Sequence, residues 1–271
     1  MSDNWLNPAW SFPYRIARKD IYHSLETYRS YVSGKLLDLA CGPKPYQPFL
    51  ASATTSYFGL DYFDWDARVD VIGSSEHLPF AAGAFDTLLC TEGLEHFRNP
   101  TQVMGEIKRV LAQKGYAIIT TPLTWGLHGE PHDYWRFTIY GLQALAEQAG
   151  LVVIESHRRG GGFKVVGQMI ARGLDTTLSR PQERLRSGIV KLAALILSPG
   201  ALLQLAFTGR PVSRAWPGLQ GRLNKWIPPL PFLRLLILIV NWLATHLDRR
   251  FVWPDETLGF TVVVTHTQDS H

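Results

Sequence analysis

The stretch Gly34-Lys35-Leu36-Leu37-Asp38-Leu39-Ala40-Cys41-Gly42 constrains this chain more than any other. Lys35-Leu36-Leu37 opens an apolar run, and Asp38 stands where that strand should end. Gly42 then lets the backbone turn sharply and approach a ligand with no side chain in the way. One β-α unit later Tyr57-Phe58-Gly59-Leu60 reads as a second short strand, closed by Asp61. An acid at that place can accept both hydroxyls of a ribose. Together the two strand ends specify a nucleotide-type α/β domain without saying which ribose-bearing ligand it holds.

The remaining pattern extends that domain. Ile21, Leu25, Tyr28 and Val32 recur at helical spacing and predict an amphipathic helix leading into the first strand. Pro43, Pro45 and Pro48 require the first crossover helix to be short or to begin late. Val69–Ile72, Thr87–Cys90, Tyr116–Thr121 and Leu151–Ser156 read as further strands. Helices are predicted over Thr101–Leu111, with Gly115 just past its end, and from a Thr138 cap to Ala149, stopped by Gly150. Alternating strands and helices define a doubly wound, mostly parallel sheet. Cys41 and Cys90 sit at predicted strand ends, and no basic-then-apolar leader opens the sequence, so reduced thiols in the cytoplasm are expected.

Charge divides the chain. Residues 1–157 carry a net −5 and residues 158–250 a net +12, within an overall +4. About a hundred residues separate Leu151–Ser156 from a final apolar strand at Phe260–Thr265, too many for an unstructured loop. They hold two apolar stretches, Ile189–Phe207 and Leu230–Leu247. The first is broken by Ser198-Pro199-Gly200, and the second has a short uncharged run after Arg234, so neither suits a spanning helix. Flanking arginines and Trp216, Trp226, Trp242 and Trp253 suit an element lying on an anionic membrane surface. A helical subdomain packed on the core, or a homodimer contact through 185–250, is the alternative. The basic residues are interleaved with aliphatic runs rather than set along a polar groove, which disfavours nucleic acid. The organisation expected is an aromatic arm and helix over 1–33, a core over 34–162 and 257–268, and a basic, apolar helical insertion over 163–256. The arm, with Trp5, Trp10, Phe12 and Tyr14, reads either as a lid or as packing.

Asp38-Leu-Ala-Cys-Gly42-Pro, Gly59-Leu-Asp61, Glu76-His-Leu-Pro-Phe80, Phe85-Asp86, Leu94-Glu-His96 and Glu106-Ile-Lys-Arg-Val-Leu111 follow one another over residues 34–157. In that order and spacing the chain resembles the class I S-adenosylmethionine-dependent methyltransferases of the type 11 group, which include quinone-biosynthesis enzymes. Pro131-His-Asp-Tyr-Trp-Arg-Phe-Thr138 is similar to a segment of bacterial members associated with cell-surface glycan pathways. The resemblance implies a Rossmann-like sheet of seven strands, the last antiparallel, and S-adenosyl-L-methionine as cofactor. Ala40 and Ser74 depart from the pattern, standing where glycine and an adenine-facing acid are usual.

On this reading Asp38 faces the amino-acid end of the cofactor, and the turn amides with Ala40 and Gly42 meet its carboxylate. Asp61 holds the ribose, beside Tyr62. Ser74, Ser75 and Glu76 border the adenine, and Thr91 and Glu92 complete the cofactor side. A hydroxyl acceptor needs a base, and His132 beside Asp133 is the first candidate, His96 the second. A metal reading of His128, Glu130, His132 and Asp133 is set aside, because Pro131 interrupts helical spacing. The acceptor expected is a glycan or lipid-linked small molecule, or alternatively an isoprenoid quinone, met by an enzyme peripheral to the inner membrane face. A cofactor-binding scaffold without turnover is the reading from a different class.

Overall fold

The computed structural model describes residues 8–9, 12–64, 68–176, 231–251, 253 and 255–267. Trp5, Trp10, the apolar stretch 189–207 and the cations from Arg184 to Lys225 lie outside the described residues. The strands are β1 (Lys35–Leu39), β2 (Ser56–Asp61), β3 (Val71–Ile72), β4 (Phe85–Thr91), β5 (Leu111–Pro122), β6 (Leu151–Arg159) and β7 (Gly259–His266). They form one sheet in the order β3-β2-β1-β4-β5-β7-β6. The pairs from β3 to β5 are parallel, and β7 runs antiparallel to both its neighbours.

Alternation along the central strands splits the core into two layers. Leu37, Leu39, Leu88, Cys90, Ala117, Ile119, Val262 and Val264 face one side. There they meet α3 (Pro100–Val110) through Val103, Met104, Ile107 and Val110, and α4 (Ile139–Gln148) through Leu142 and Ala146. Leu36, Leu89, Ile118 and Val263 face the other side, covered by Ile21 and Leu25 of α1 (Arg15–Thr27) and by Leu50 of the one-turn α2 (Gln47–Leu50). Ile107 is fully buried, so truncating it to Ala costs about 2–5 kcal/mol.

The observed bounds correct several predicted ones. α1 ends at Thr27, and Tyr28 and Val32 reach the core from the turn that follows. α3 begins at Pro100, capped by Asn99, whose side chain accepts from the Gln102 amide at 3.2 Å. β5 begins at Leu111, so Gly115 lies inside a strand; a Cβ there would stand 2.8 Å from the Asp86 carbonyl oxygen. Thr138 does cap α4, accepting from the Gly141 amide at 3.1 Å, and Gly150 at φ +72° follows its end.

Several of the motif residues are braces. Asp86 accepts from the Lys35 amide at 2.8 Å, and its carboxyl fills the space a Cβ on Gly34 would need. Glu106 accepts from the Leu78 amide at 2.7 Å, while Arg109 donates to the carbonyls of Leu78 and Phe80 at 2.9 and 2.7 Å. That pair clamps the Leu-Pro-Phe loop onto α3.

Two helices of the expected insertion are described, α5 over residues 162–176 and α6 (Pro231–Arg250). Both pack on α1: Val165 and Ala244 meet Ile16, Gln168 accepts from the Ala17 amide at 3.2 Å, and Lys164 pairs with Asp20 at 2.7 Å. No described helix is long and apolar enough to cross a membrane.

Candidate active site

The carboxyl ends of β1, β2, β4 and β5 meet at one edge of the sheet, where ligands bind in doubly wound folds. After β1 the chain reverses through Ala40, Gly42 and Lys44, at φ +52°, +52° and +54°. The left-handed region suits glycine, and Ala40 occupies it at a cost of about 1–2 kcal/mol. A Cβ on Gly42 would meet nothing within 4 Å, so the turn presents a bare, open face. Its amides are occupied within the protein: Cys41 donates to the Leu60 carbonyl at 3.2 Å, Lys44 to that of Cys41 at 3.0 Å, and Gly42 to the Asp61 carboxylate at 2.9 Å. The Gly42 amide, expected to meet a ligand carboxylate, donates to Asp61 in this structure. What Gly42 offers is close approach.

Asp38 is fully buried at the root of this turn. One oxygen accepts from the Tyr57 hydroxyl at 2.6 Å, and the other, Oδ1, has no hydrogen-bond partner. Burial pushes its carboxyl up to about 7, against the pull of the Tyr57 hydroxyl. Asp61, also buried, accepts from the Gly42 amide through one oxygen and from the Phe63 amide through the other, at 2.9 and 3.1 Å. The carboxylate is thereby fixed in orientation, and each oxygen keeps a lone pair for a further donor. Tyr62 beside it is exposed.

Lys44 crosses β2 to pair with Asp70, which also accepts from the Gly59 amide at 2.7 Å. A Cβ on Gly59 would lie 2.5 Å from the Lys44 stem, which is why glycine stands in the Gly-Leu-Asp motif. Ser74 accepts from the Glu76 amide at 3.2 Å, and Ser75 is buried beside it. Glu76 is committed to α3, accepting from the Asn99 amide at 2.9 Å.

The β4 exit, where Thr91 and Glu92 were expected to complete the cofactor side, adjoins the expected acceptor side, which is built from loops. Thr91 ends β4 opposite Thr120, and Glu92 follows at φ +49°, a strained conformation for this residue. Its carboxylate accepts from the Thr120 hydroxyl at 2.8 Å and from Arg159 at 2.7 Å. Burial pushes that carboxyl up more than Arg159 holds it down. Arg159 is itself buried and donates as well to the Thr121 carbonyl at 2.7 Å. Nothing in the sequence pattern marks this arginine. The only signal is Gly259, whose missing Cβ leaves room for the guanidinium 2.4 Å away.

The segment after β5 is clasped by one ion pair. Arg136 grips both oxygens of Asp133, at 2.6 and 2.8 Å, and donates to the Trp125 carbonyl at 3.2 Å. Asp133 also accepts from the His128 amide at 3.0 Å, and Arg136 holds its carboxyl well below the usual carboxylate range. The expected pairing of His132 with Asp133 is therefore not what the geometry provides. The exposed His132 ring instead has its Nδ1 3.1 Å from the Tyr134 hydroxyl. His96 joins this segment from the β4 exit, its Nδ1 2.5 Å from the His132 carbonyl oxygen. Tyr14 of the arm lies with its ring 6.1 Å from that of Trp125, over the same segment.

The strand order, the antiparallel β7 and the turn and acid at neighbouring strand ends are those of the Rossmann-like class I methyltransferase fold. Residues 37–119 match the family model described as a methyltransferase domain. In fold the chain is similar to a "putative sarcosine dimethylglycine methyltransferase" from Galdieria sulphuraria, at 14% identity and a TM-score of 0.52, covering 94% of this chain and 87% of that one. An S-adenosylmethionine-dependent methyltransferase from Mesorhizobium loti matches at 13% identity and TM-score 0.44, covering 51% and 83%. A further one, from Aquifex aeolicus, matches at 16% and 0.42, covering 55% and 93%. No curated protein matches the chain.

Proposed function

We propose that this chain is an S-adenosyl-L-methionine-dependent methyltransferase, with the cofactor over the ends of β1 and β2 and the acceptor at the exits of β4 and β5. The observation that carries the reading is the unpartnered Oδ1 of the buried Asp38 beside the open face of Gly42. A buried carboxylate oxygen without a donor is costly unless a ligand supplies one, and the cofactor's ammonium is such a donor. Asp61 has lone pairs left for two ribose hydroxyls. Ser74 and Ser75 stand where the adenine edge would fall. When bound, the cofactor supplies an electrophilic methyl group on a cationic sulfonium. The protein's task is then to hold an acceptor atom in line, to exclude water and to take the acceptor's proton. His132, exposed at this edge, is the base assigned here.

The acceptor fits a glycan or lipid-linked molecule, or another lipophilic compound such as a quinone, delivered at a membrane surface. Support comes from α6, which exposes Leu235, Leu238, Ile239, Trp242 and Leu243 and ends in Arg249 and Arg250, followed by exposed Phe251 and Trp253. Val166, Met169 and Ile170 of α5 are exposed as well. An apolar face with a basic end favours peripheral binding to anionic lipid.

Calorimetry with S-adenosylmethionine, followed by transfer of its labelled methyl group into membrane and soluble extracts, tests the reading. Binding, with label entering the lipid or glycan fraction, is the expected result, and His132→Ala should slow transfer without changing cofactor affinity. A folded protein that does not bind the cofactor would sink it. Cosedimentation with anionic vesicles, reversed in part by salt, checks the membrane arm. Protein that stays in the supernatant with every lipid, and scatters light as a dimer, would assign the apolar face to a second copy.

A further inference from the structure

Glu95 is the most deeply buried acid on the acceptor side. It is fully inaccessible, and neither of its oxygens accepts a hydrogen bond. Two imidazoles point at it. Nε2 of His96 and Nε2 of His128 stand 3.7 and 3.6 Å from the same oxygen, Oε1. Both are too far for a hydrogen bond. Metal–ligand bonds of about 2.1 Å place neighbouring donors in a tetrahedron about 3.4 Å apart. The two distances to Oε1 are close to that spacing, and one ligand atom from each of Glu95, His96 and His128 lies within 4.8 Å of the others.

The far side of each ring is held by the backbone. Nδ1 of His96 faces the His132 carbonyl oxygen at 2.5 Å, and Nδ1 of His128 faces the Gly126 carbonyl at 3.2 Å, with Asp133 at 3.3 Å. Carbonyl oxygens only accept, so each Nδ1 carries a hydrogen turned away from Glu95, and Nε2 is the ring nitrogen that faces it. Metal-bound histidines are oriented by outer carbonyls and carboxylates in this way. Backbone bonds fasten the two ligand-bearing segments to each other: the Glu95 carbonyl accepts from the amides of Tyr134 and Trp135, at 3.0 and 3.2 Å. Gly129 at φ +63° lets the loop close on the His96 ring, whose Cε1 lies 2.9 Å from where a Cβ would be.

We propose that Glu95, His96 and His128 bind one divalent first-row transition-metal ion, with an open position that takes an oxygen of the methyl acceptor. Two imidazoles and a carboxylate suit zinc, cobalt or iron rather than calcium or magnesium, and three protein ligands with a vacant fourth position are the arrangement of catalytic sites. This role for the ion rests on the methyltransferase reading above; its binding does not. An acceptor hydroxyl on the ion loses its proton, to His132 and then to water, more readily than a free one. Its electron pair forms the bond to the methyl carbon as the carbon–sulfur bond breaks, and sulfur leaves as a neutral thioether.

The test uses full-length protein stripped with chelator, then dialysed against Zn²⁺ alone or Co²⁺ alone. One equivalent per chain is expected, with a visible absorption band for the cobalt form. Glu95→Gln and His128→Ala should each weaken Zn²⁺ binding at least about 100-fold, and His23→Ala, on the exposed face of α1, should not. Affinity for S-adenosylmethionine, measured on every metal-free variant, reports that the fold is intact. Less than a tenth of an equivalent on folded wild-type protein, or unchanged zinc affinity in Glu95→Gln, would overturn the site while retained cofactor binding left the methyltransferase reading standing. Metal bound without cofactor binding would strike that reading and leave the site.

Discussion

The two sides of the edge are made differently. On the proposed cofactor side Asp38 and Asp61 sit near the ends of neighbouring parallel strands, whose register fixes their separation, while the Tyr57 hydroxyl and the Gly42 and Phe63 amides fix their direction. On the proposed acceptor side the groups themselves stand beyond the strand ends. Glu92 is held by Arg159 from across the sheet, and the His128–Arg136 loop is held by the Asp133 clasp and by two amides on the Glu95 carbonyl. The first half is positioned by the scaffold, the second by polar contacts between segments distant in sequence. A scaffold built for one constant ligand can therefore carry different acceptors by changing loops.

The largest effect that would break this contrast is on stability. Arg159→Ala leaves Glu92 without its cation and the Thr121 carbonyl without its donor, which should cost about 3 kcal/mol. Urea unfolding measures it, and a wild-type midpoint would mean the acceptor side does not depend on that contact. Next comes Asp61→Ala, which should weaken S-adenosylmethionine by about 1.5–3 kcal/mol and leave acceptor affinity alone. Equal calorimetric constants for a folded mutant would remove Asp61 from the ribose site.

A third effect is a pH dependence of the cofactor half. Asp38 is raised to about 7 in the native protein, above an unfolded value of about 3.9. The native state thus takes up the proton first, so the stability tied to this group is full in acid and is lost as pH rises from about 4 to about 7. Asp38→Asn should match the ligand-free wild type near pH 4 and exceed it by about 4 kcal/mol at pH 8. Parallel thermal melts decide it; a constant difference across that range would refute the assignment. The smallest effect is Ala40→Gly. Relief of the left-handed strain, about 1–2 kcal/mol, is offset by about 0.5–1 kcal/mol of added chain entropy. The net gain should stay below about 1 kcal/mol, and a loss in melting temperature would show that the Ala40 methyl packs usefully.

What could be read from the sequence follows the same division. Periodicity and strand-end residues located β1, β2 and the α4 cap because those signals are local. The start of β5 at Leu111 was hidden because Leu111 continues the apolar face of α3 without a break. Asp133 follows His132 in sequence, but adjacency there does not bring side chains together. Its actual partner, Arg136, lies a turn away. The roles of Arg159 and Glu95 left no pattern, since a buried charge looks like any other until its partners are brought to it by folding. Glu95 was legible only as part of the Leu-Glu-His landmark, without a role.

The pairing of β6 with β7 sets where the insertion begins and ends. Arg159 stands opposite Gly259, and Gly259 opposite Pro122 at the end of β5. The chain therefore leaves for residues 160–258 and returns from them at the reactive edge itself. A link from the Gly161 amide to Asp248 at 3.0 Å closes the base of that excursion. Whatever the described helices α5 and α6 grasp is therefore held near the mouth of the site. For a molecule confined to a surface or a carrier, encounter then becomes a matter of local concentration and heading, set by tether length rather than by abundance in the surrounding volume.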